Sequence, residues 1–491
     1  MAGKSLDSLD ANARDLLLTS MTWMDHFWDE QAGLLWSPGD MPDPELYTHG
    51  NAHTVRDSSW YALGLLLRDS PGDRERTARV LGAVLDNQFD APDRVYHGTF
   101  RRSPEEAQPP APPVEWKDYD PNWREFIMTT IAVILDEWED RLPPSVIGRI
   151  DAAIPKAVAG ALARGLRAGY TNISLMNAFM MCFAGWRLGQ PEWIKSGEVM
   201  GREIYRLFKQ HETFEEYNSP TYYGVDLFAL ALWRGYSQSQ LLRDMGKDME
   251  AALWTDIGRY YHAGLRNIAG PYDRSYGMDM RRYAAVVAEW IWLVTGKERA
   301  PFPDIGSRFA HAHDFCFAPL PAVVGTQVPV LARYQLQSFQ GERQVERTIA
   351  DAPRRVVTAW LSDDIMLGAE LSSGSKRGGP QFHPATVHWK ASASEVGWMR
   401  LRHSDPVDAR ATAGQLNIAG TGELIFEIAA PGIAASAISA DLWKLPGLTV
   451  HVETSVADVR VASVGDHIEV HYMADAMMPE TVTLTMETQQ E

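Results

Sequence analysis

Residues 214–224 place two carboxylates (Glu215, Glu216), an amide (Asn218) and three phenols (Tyr217, Tyr222, Tyr223) directly before the apolar run from Val225 to Trp233. Such side chains can transfer protons and hold a polar, carbohydrate-like ligand, and a packed core does not call for so many of them together. A phenol acts as general base when a nearby cation or donor lowers its pKa, and returns the proton as general acid. Tyr222 and Tyr223 are the candidates, and either of them could instead pack in a wall.

Similar polar and aromatic mixtures recur along the chain. They run from His49 to Trp60, from Trp116 to Glu125, from Tyr170 to Asn177 and from Gly270 to Asp279. Arg56, Arg124 and Arg274 lie in three of them, and planar guanidinium groups suit bidentate recognition of a carboxylate. If the segments converge, these arginines form an anion clamp. Each has an acidic neighbour, Asp57, Glu125 or Asp273, so internal pairing is the competing expectation. Trp60, Trp123 and Tyr276 offer ring faces, and Glu216, Asn218 and Asp273 offer polar contacts to a substrate.

His383 and His388 follow the Gly-rich stretch Ser372 to Gly379, which reads as a lid. Histidine works as acid, base or carboxylate neutraliser near neutral pH. Five apart on a strand, the two face opposite sides, so one at most is expected in a site, and His383 is the catalytic candidate. His311, His313 and Asp314 invite a metal reading but lack a defined third ligand, so no metal site is assigned. His49 and His53 would share a face only on a helix, and their segment reads as a loop. With no phosphate loop, dinucleotide fingerprint or nucleophile elbow, no cofactor is expected.

The elements that must position these groups divide into two textures. Up to about Thr295 apolar residues recur at helical spacing, in runs such as Ala13 to Phe27, Val146 to Leu166 and Met280 to Thr295. The polar segments between them repeat at roughly 45 to 65 residues, the length of a helical hairpin with a generous loop. A solenoid of hairpins closing into an (α/α) toroid would bring these loops to one mouth; an open helical array would not. After Pro301 come short runs rich in Val, Ile and Thr, from Val328 to Phe339 through Ile468 to Met473, which read as an antiparallel sandwich. Helices first and strands second argue against a parallel α/β fold. The expected fold class is α+β multidomain, an N-terminal (α/α) toroid over residues 1–315 followed by a C-terminal antiparallel β-sandwich over 316–491.

At 491 residues the chain exceeds one ordinary core. Its formal charge of −18 disfavours nucleic acid and anionic membranes as partners, and an anion site must rest on local arginines. No apolar run reaches the roughly 18 residues of a membrane span. The first twenty residues lack the uninterrupted apolar stretch of a secretory signal, and Cys182 and Cys316 alone make no disulfide framework. The expected location is cytoplasmic. Assembly into a homo-oligomer is compatible with this reading.

Asn172 within Tyr170-Thr171-Asn172-Ile173, followed by Glu216 to Tyr223, resembles the motifs of the heparinase II/III and alginate lyase type polysaccharide lyases, as does the order of toroid and sandwich. In that pattern a His often follows the Asn, and Ile173 stands there instead. The resemblance implies β-elimination at a uronate: Asn172 with an arginine neutralises the carboxylate and the developing enolate-like charge, Tyr222 or Tyr223 moves the proton, and His383 assists. The expected partner is an acidic oligosaccharide, taken as short imported fragments. A glycoside hydrolase on the same toroid is the alternative, with a carboxylate pair drawn from Glu215, Glu216, Asp273 and Asp279. A small-metabolite dehydratase or cyclase and a carbohydrate-binding or scaffold protein complete the readings.

Overall fold

The computed structural model describes residues 3–41, 50–375, 378–403, 405–475 and 477–489, so that His49, and Lys376 and Arg377 of the expected lid, lie outside the described residues. Two compact units emerge. The first comprises Met1–Phe214, Tyr222–Ala252 and Arg282–Gln327, the second Glu215–Thr221, Leu253–Arg281 and Val328–Glu491. The expected division at 315/316 thus falls twelve residues before the last one at 327/328, and two stretches inside the helical region group with the strands.

The helices are α1 (Ala11–Asp25), α2 (Val55–Arg68), α3 (Asp73–Asp86), α4 (Trp123–Trp138), α5 (Pro144–Arg164), α6 (Thr171–Leu188), α7 (Pro191–His211), α8 (Tyr222–Tyr236), α9 (Gln240–Tyr260), α10 (Val286–Thr295), α11 (Pro319–Val324) and α12 (Val330–Gln337). Their ends follow local chemistry. Asp10 caps α1 by accepting the Ala13 N–H at 2.9 Å. Pro144 and Pro191 open α5 and α7, and left-handed Gly165 and Gly189 close α5 and α6. The stretch from Val328 to Phe339, expected as a strand, contains α12, because Ala332 and Leu336 bury one helical face at i, i+4.

In the first unit α1 packs on α2, α2 on α4, α4 on α6, α6 on α8, α8 on α10, and α10 returns to α1, a closed ring. Outside it, α3 packs on α2 and α5, α5 on α4 and α6, and α7 on α6. Sequence dictates this sorting. Val286 to Val294 of α10 and Tyr223 to Trp233 of α8 are buried without interruption, as helices surrounded by protein must be. α7 buries only the stripe Gly197, Gly201, Ile204 and Phe208. The interior is filled by residues 312–324: Phe317 lies 5.1 Å from the Trp60 ring and 5.5 Å from Phe228. Two short strands, β1 (Trp28–Asp29) and β2 (Leu34–Trp36), with β3 (His53–Thr54), form a small sheet before α2.

The second unit holds the hairpin β4 (Tyr261–His262) and β5 (Asn267–Ile268), then β6 (Arg343–Asp351), β7 (Arg354–Ser362), β8 (Ile365–Leu371), β9 (Ala385–Lys390), β10 (Val396–His403), β11 (Val407–Thr412), β12 (Gln415–Gly420), β13 (Glu423–Ala429), β14 (Leu442–Leu445), β15 (Leu448–Thr454), β16 (Val459–Val464), β17 (His467–Met473) and β18 (Glu480–Thr488). β6 to β18 join one antiparallel sheet along the path β14-β15-β18-β12-β11-β8-β9-β10-β13-β17-β16, with β7 between β6 and β8. Alternation in β15, where Leu448, Val450 and Val452 are buried, marks an inner face. The sheet folds over itself: Trp443 of β14, at one end of the path, has its ring 5.6 Å from Phe426 of β13, near the other. The result is the expected sandwich.

Candidate functional site

The starts of neighbouring ring helices touch in the pairs α2–α4, α4–α6 and α8–α10, whereas α1 begins beside the end of α10, where Asn12 Nδ2 donates to Leu293 O at 3.0 Å. Arg56 of α2 reaches Trp123 of α4, Asn122 before α4 donates to the Tyr170 hydroxyl before α6 at 2.8 Å, and Gly224 of α8 abuts the Val286 and Val287 backbone of α10. A Cβ on Gly224 would stand 2.5 Å from the Val286 carbonyl carbon, so only glycine permits that approach. Arg56, Trp60, Trp123, Asn172, Tyr222 and Tyr223 all lie within the first two turns of their helices. Several were expected in loops; the helices start earlier, which fixes their side chains on rigid backbone. Helix N-termini also favour negative charge nearby.

Arg56 is the central cation. Its guanidinium carbon lies 4.5 Å from the Trp60 ring centroid, 5.3 Å from Trp123 and 5.5 Å from Phe126, inside cation–π range. Its Nε donates to Asp57 at 2.8 Å, and among the described residues Asp57 is its hydrogen-bond partner. Burial opposes the charge, but Asp57, Asp314 and Asp120 outweigh that and raise its pKa. The fork's terminal nitrogens are therefore the groups an anionic ligand would meet. Tyr222 is half-buried at the first position of α8, whereas Tyr223 is 1% exposed. Asn172 is buried on α6, which packs on α8.

Carboxylates that sequence reasoning did not select line the same region. Glu289 of α10 is fully buried, and neither of its oxygens has a hydrogen-bond partner among the described residues. Burial, reinforced by the Asp314 charge, pushes its pKa well above the usual carboxylate range. Glu125 accepts from Asn177 Nδ2 at 3.4 Å through one oxygen and leaves the other, like Trp60 Nε1, without a partner among the described residues. Unsatisfied buried polar atoms are rare and concentrate where function requires them. The available signal was a lone acid, Glu289, inside the apolar run Val286 to Val294.

In the second unit the 215–221 segment is tied to 269–278. Asn218, at φ 46°, donates through Nδ2 to the Ala269 and Pro271 carbonyls at 2.8 Å each. The Asp273 N–H donates to Tyr217 O and the Arg274 N–H to Ser219 Oγ, both at 3.1 Å. Arg274 donates to Glu216 at 2.7 Å and to Gln381 Oε1 at 2.9 Å. Arg355 bridges Asp273 (3.3 Å) and Glu370 (2.6 Å). His383 Nε2 lies 3.3 Å from Ser275 O, and His388 Nε2 2.8 Å from Met278 O.

These contacts revise several sequence expectations. Arg124 is 1% exposed and donates to Glu125 and the His97 carbonyl, the internal pairing that was the competing expectation. Asn218 fixes backbone. Glu216 and Arg274 hold each other, and Asp273 holds Arg355. Both His383 and His388 are buried, and burial depresses their pKa values to about 3 and about 4. They are neutral at pH 7 and carry no charge with which to neutralise a carboxylate; nor do they divide between a site and a core. Tyr276 keeps 36% exposure. His311, His313 and Asp314 offer ligand atoms within 4.8 Å of one another.

Comparison with known proteins adds the following. Residues 14–326 match the family model described as Domain of unknown function (DUF8769), and residues 341–472 the one described as Domain of unknown function (DUF8770). No curated protein matches the sequence. Among solved structures, the Streptomyces coelicolor A3 chondroitin AC lyase in complex with chondroitin sulphate is similar at TM-score 0.37 and 9% identity over 97% of this chain and 96% of that one. A heparinase III is similar at 0.36 and 9%, over 96% and 84%. Endoglucanase CelQ from Clostridium thermocellum, complexed with cellotriose, scores 0.27 at 10%, over 98% and 93%.

Proposed function

From a chain that belongs to the DUF8769 family, we propose a carbon–oxygen lyase that cleaves an acidic, uronate-containing oligosaccharide by β-elimination. The observation that supports it best is Arg56: a guanidinium framed by Trp60, Trp123 and Phe126, held through one nitrogen by Asp57, where the starts of α2 and α4 touch. Such a group takes a carboxylate by its open edge while the rings take the sugar faces. With the carboxylate neutralised by Arg56 and Asn172, the adjacent C–H becomes acidic enough for a phenol to remove its proton. Tyr222, the half-buried member of the pair, is assigned that transfer, and the proton then passes to the leaving oxygen. Incubating the protein with uronate oligosaccharides should release an unsaturated product absorbing in the ultraviolet. Hydrolysis without that chromophore would sink the proposal.

One observation favours a glycoside hydrolase as the second reading. Burial raises the Glu289 pKa while Asp57 is paired with Arg56, environments of the kind that separate an acid from a base. A Glu289→Gln variant separates the two: a hydrolase loses its acid, whereas a lyase keeps its turnover.

A further inference from the structure

We infer that His311, His313 and Asp314 form a zinc site, whatever reaction the protein performs. His311 adopts a left-handed conformation (φ 54°), and the turn closes with the Asp314 N–H donating to His311 O at 3.0 Å. That turn brings both imidazoles round one carboxylate. His313 Nε2 lies 3.5 Å and His311 Nδ1 4.0 Å from Asp314 oxygens. The segment is anchored, since Ala310 exchanges backbone hydrogen bonds with Arg282 (3.0 Å) and Ala284 (2.9 Å). Zinc bonds of about 2.0–2.2 Å require each donor to move by no more than about 1 Å from this arrangement. Two imidazoles and a carboxylate suit zinc better than magnesium or calcium, which prefer oxygen alone. Three protein ligands also leave a fourth position for water or a ligand.

The other cluster of suitable donors, Glu427, His467 and Glu469, is different. Arg400 and Arg402 hold Glu427 at 2.5 and 2.9 Å, and Arg402 holds Glu469 at 2.6 Å, so the charge a metal would supply is already present.

The test is elemental analysis of full-length, tag-free protein purified without chelator, followed by zinc titration calorimetry after chelator stripping. About one zinc per chain is expected. Affinity should fall at least about tenfold in His313→Ala and Asp314→Asn, in line with the sensitivity of metal shells to single changes, and stay unchanged in His467→Ala. Cobalt(II) added to the stripped wild-type protein should give visible bands of nitrogen and oxygen ligation, a readout that does not depend on any variant folding. No zinc binding, absent cobalt bands, binding undiminished in His313→Ala, or binding lost in His467→Ala would each overturn the assignment.

Discussion

Arg274 Nη1 donates to Glu216 Oε1 at 2.7 Å, joining two residues 58 positions apart that the sequence offers separately as ligand contacts. Glu216 is 8% and Arg274 26% exposed in its side chain, so the bond is charge-assisted and partly shielded. Its place in the knot of 215–221 and 269–278 makes it a stability element. Arg274→Ala should cost about 1.5–3 kcal/mol, measured by urea unfolding. A loss of substrate affinity with unchanged stability would return Arg274 to the ligand-binding set.

Arg56 carries the opposite expectation. Arg56→Lys keeps the charge but loses the planar fork and its stacking on Trp60 and Trp123. The KM for a uronate oligosaccharide should rise about tenfold or more, against little change for a neutral one. Equal effects on both would mean that Arg56 only braces the wall.

Tyr222→Phe should reduce kcat by about 10²–10⁴, the usual range for losing a proton-transfer group, with KM nearly unchanged. Tyr223→Phe, deeper in the wall, should lower the melting temperature more than kcat. Reversal of these two outcomes would transfer the role to Tyr223.

The buried histidines make stability pH-dependent. Their folded pKa values lie below the unfolded value near 6.5, with His383 at about 3 and His388 at about 4, chiefly from burial. Between those values the unfolded chain binds protons that the folded one does not, so stability falls as pH drops below 6.5. The slope is at most about 1.4 kcal/mol per pH unit for each histidine. Denaturation at pH 7.5, 6 and 5 should show it, and His383→Gln should flatten it.

Glu289 acts with the reverse sign. Its folded pKa is raised by burial and then by Asp314, so the unfolded chain is the one that loses a proton as pH rises above about 4.5, and stability declines with pH. In chelator-treated protein Glu289→Gln should be more stable than wild type at pH 8 by about 1–3 kcal/mol. Equal stability would mean that the carboxylate is ionised and compensated.

Backbone contact yields a further expectation. Gly224→Ala puts a methyl 2.5 Å from the Val286 carbonyl carbon, where backbone must give way. A loss of about 1–3 kcal/mol is expected in the unfolding midpoint.

Much of the framework was legible. The 3.6-residue pattern of α1 through α10 and the hairpin repeat implied the ring, and the Val, Ile and Thr runs implied the strands. α12 was misread because Val330, Leu331 and Tyr334 look strand-like when only composition is weighed, although Ala332 and Leu336 are the residues it buries. The extents of the units were less legible, since 215–221 and 253–281 group with the strands that begin at Arg343.

The sequence by itself determined the order of helices and strands, the turns and caps that end them, and the supply of phenols, amides, arginines and carboxylates near helix starts, because each depends on neighbours a few residues away. Only the tertiary structure decided which of those groups remain available. Arg124 with His97, Glu216 with Arg274 and His388 with Met278 are joined over 27, 58 and 110 positions. Burial of His383 and Glu289 shifts their pKa values, down and up respectively. Pairing and desolvation are properties of surroundings assembled from distant segments, and no local pattern encodes them.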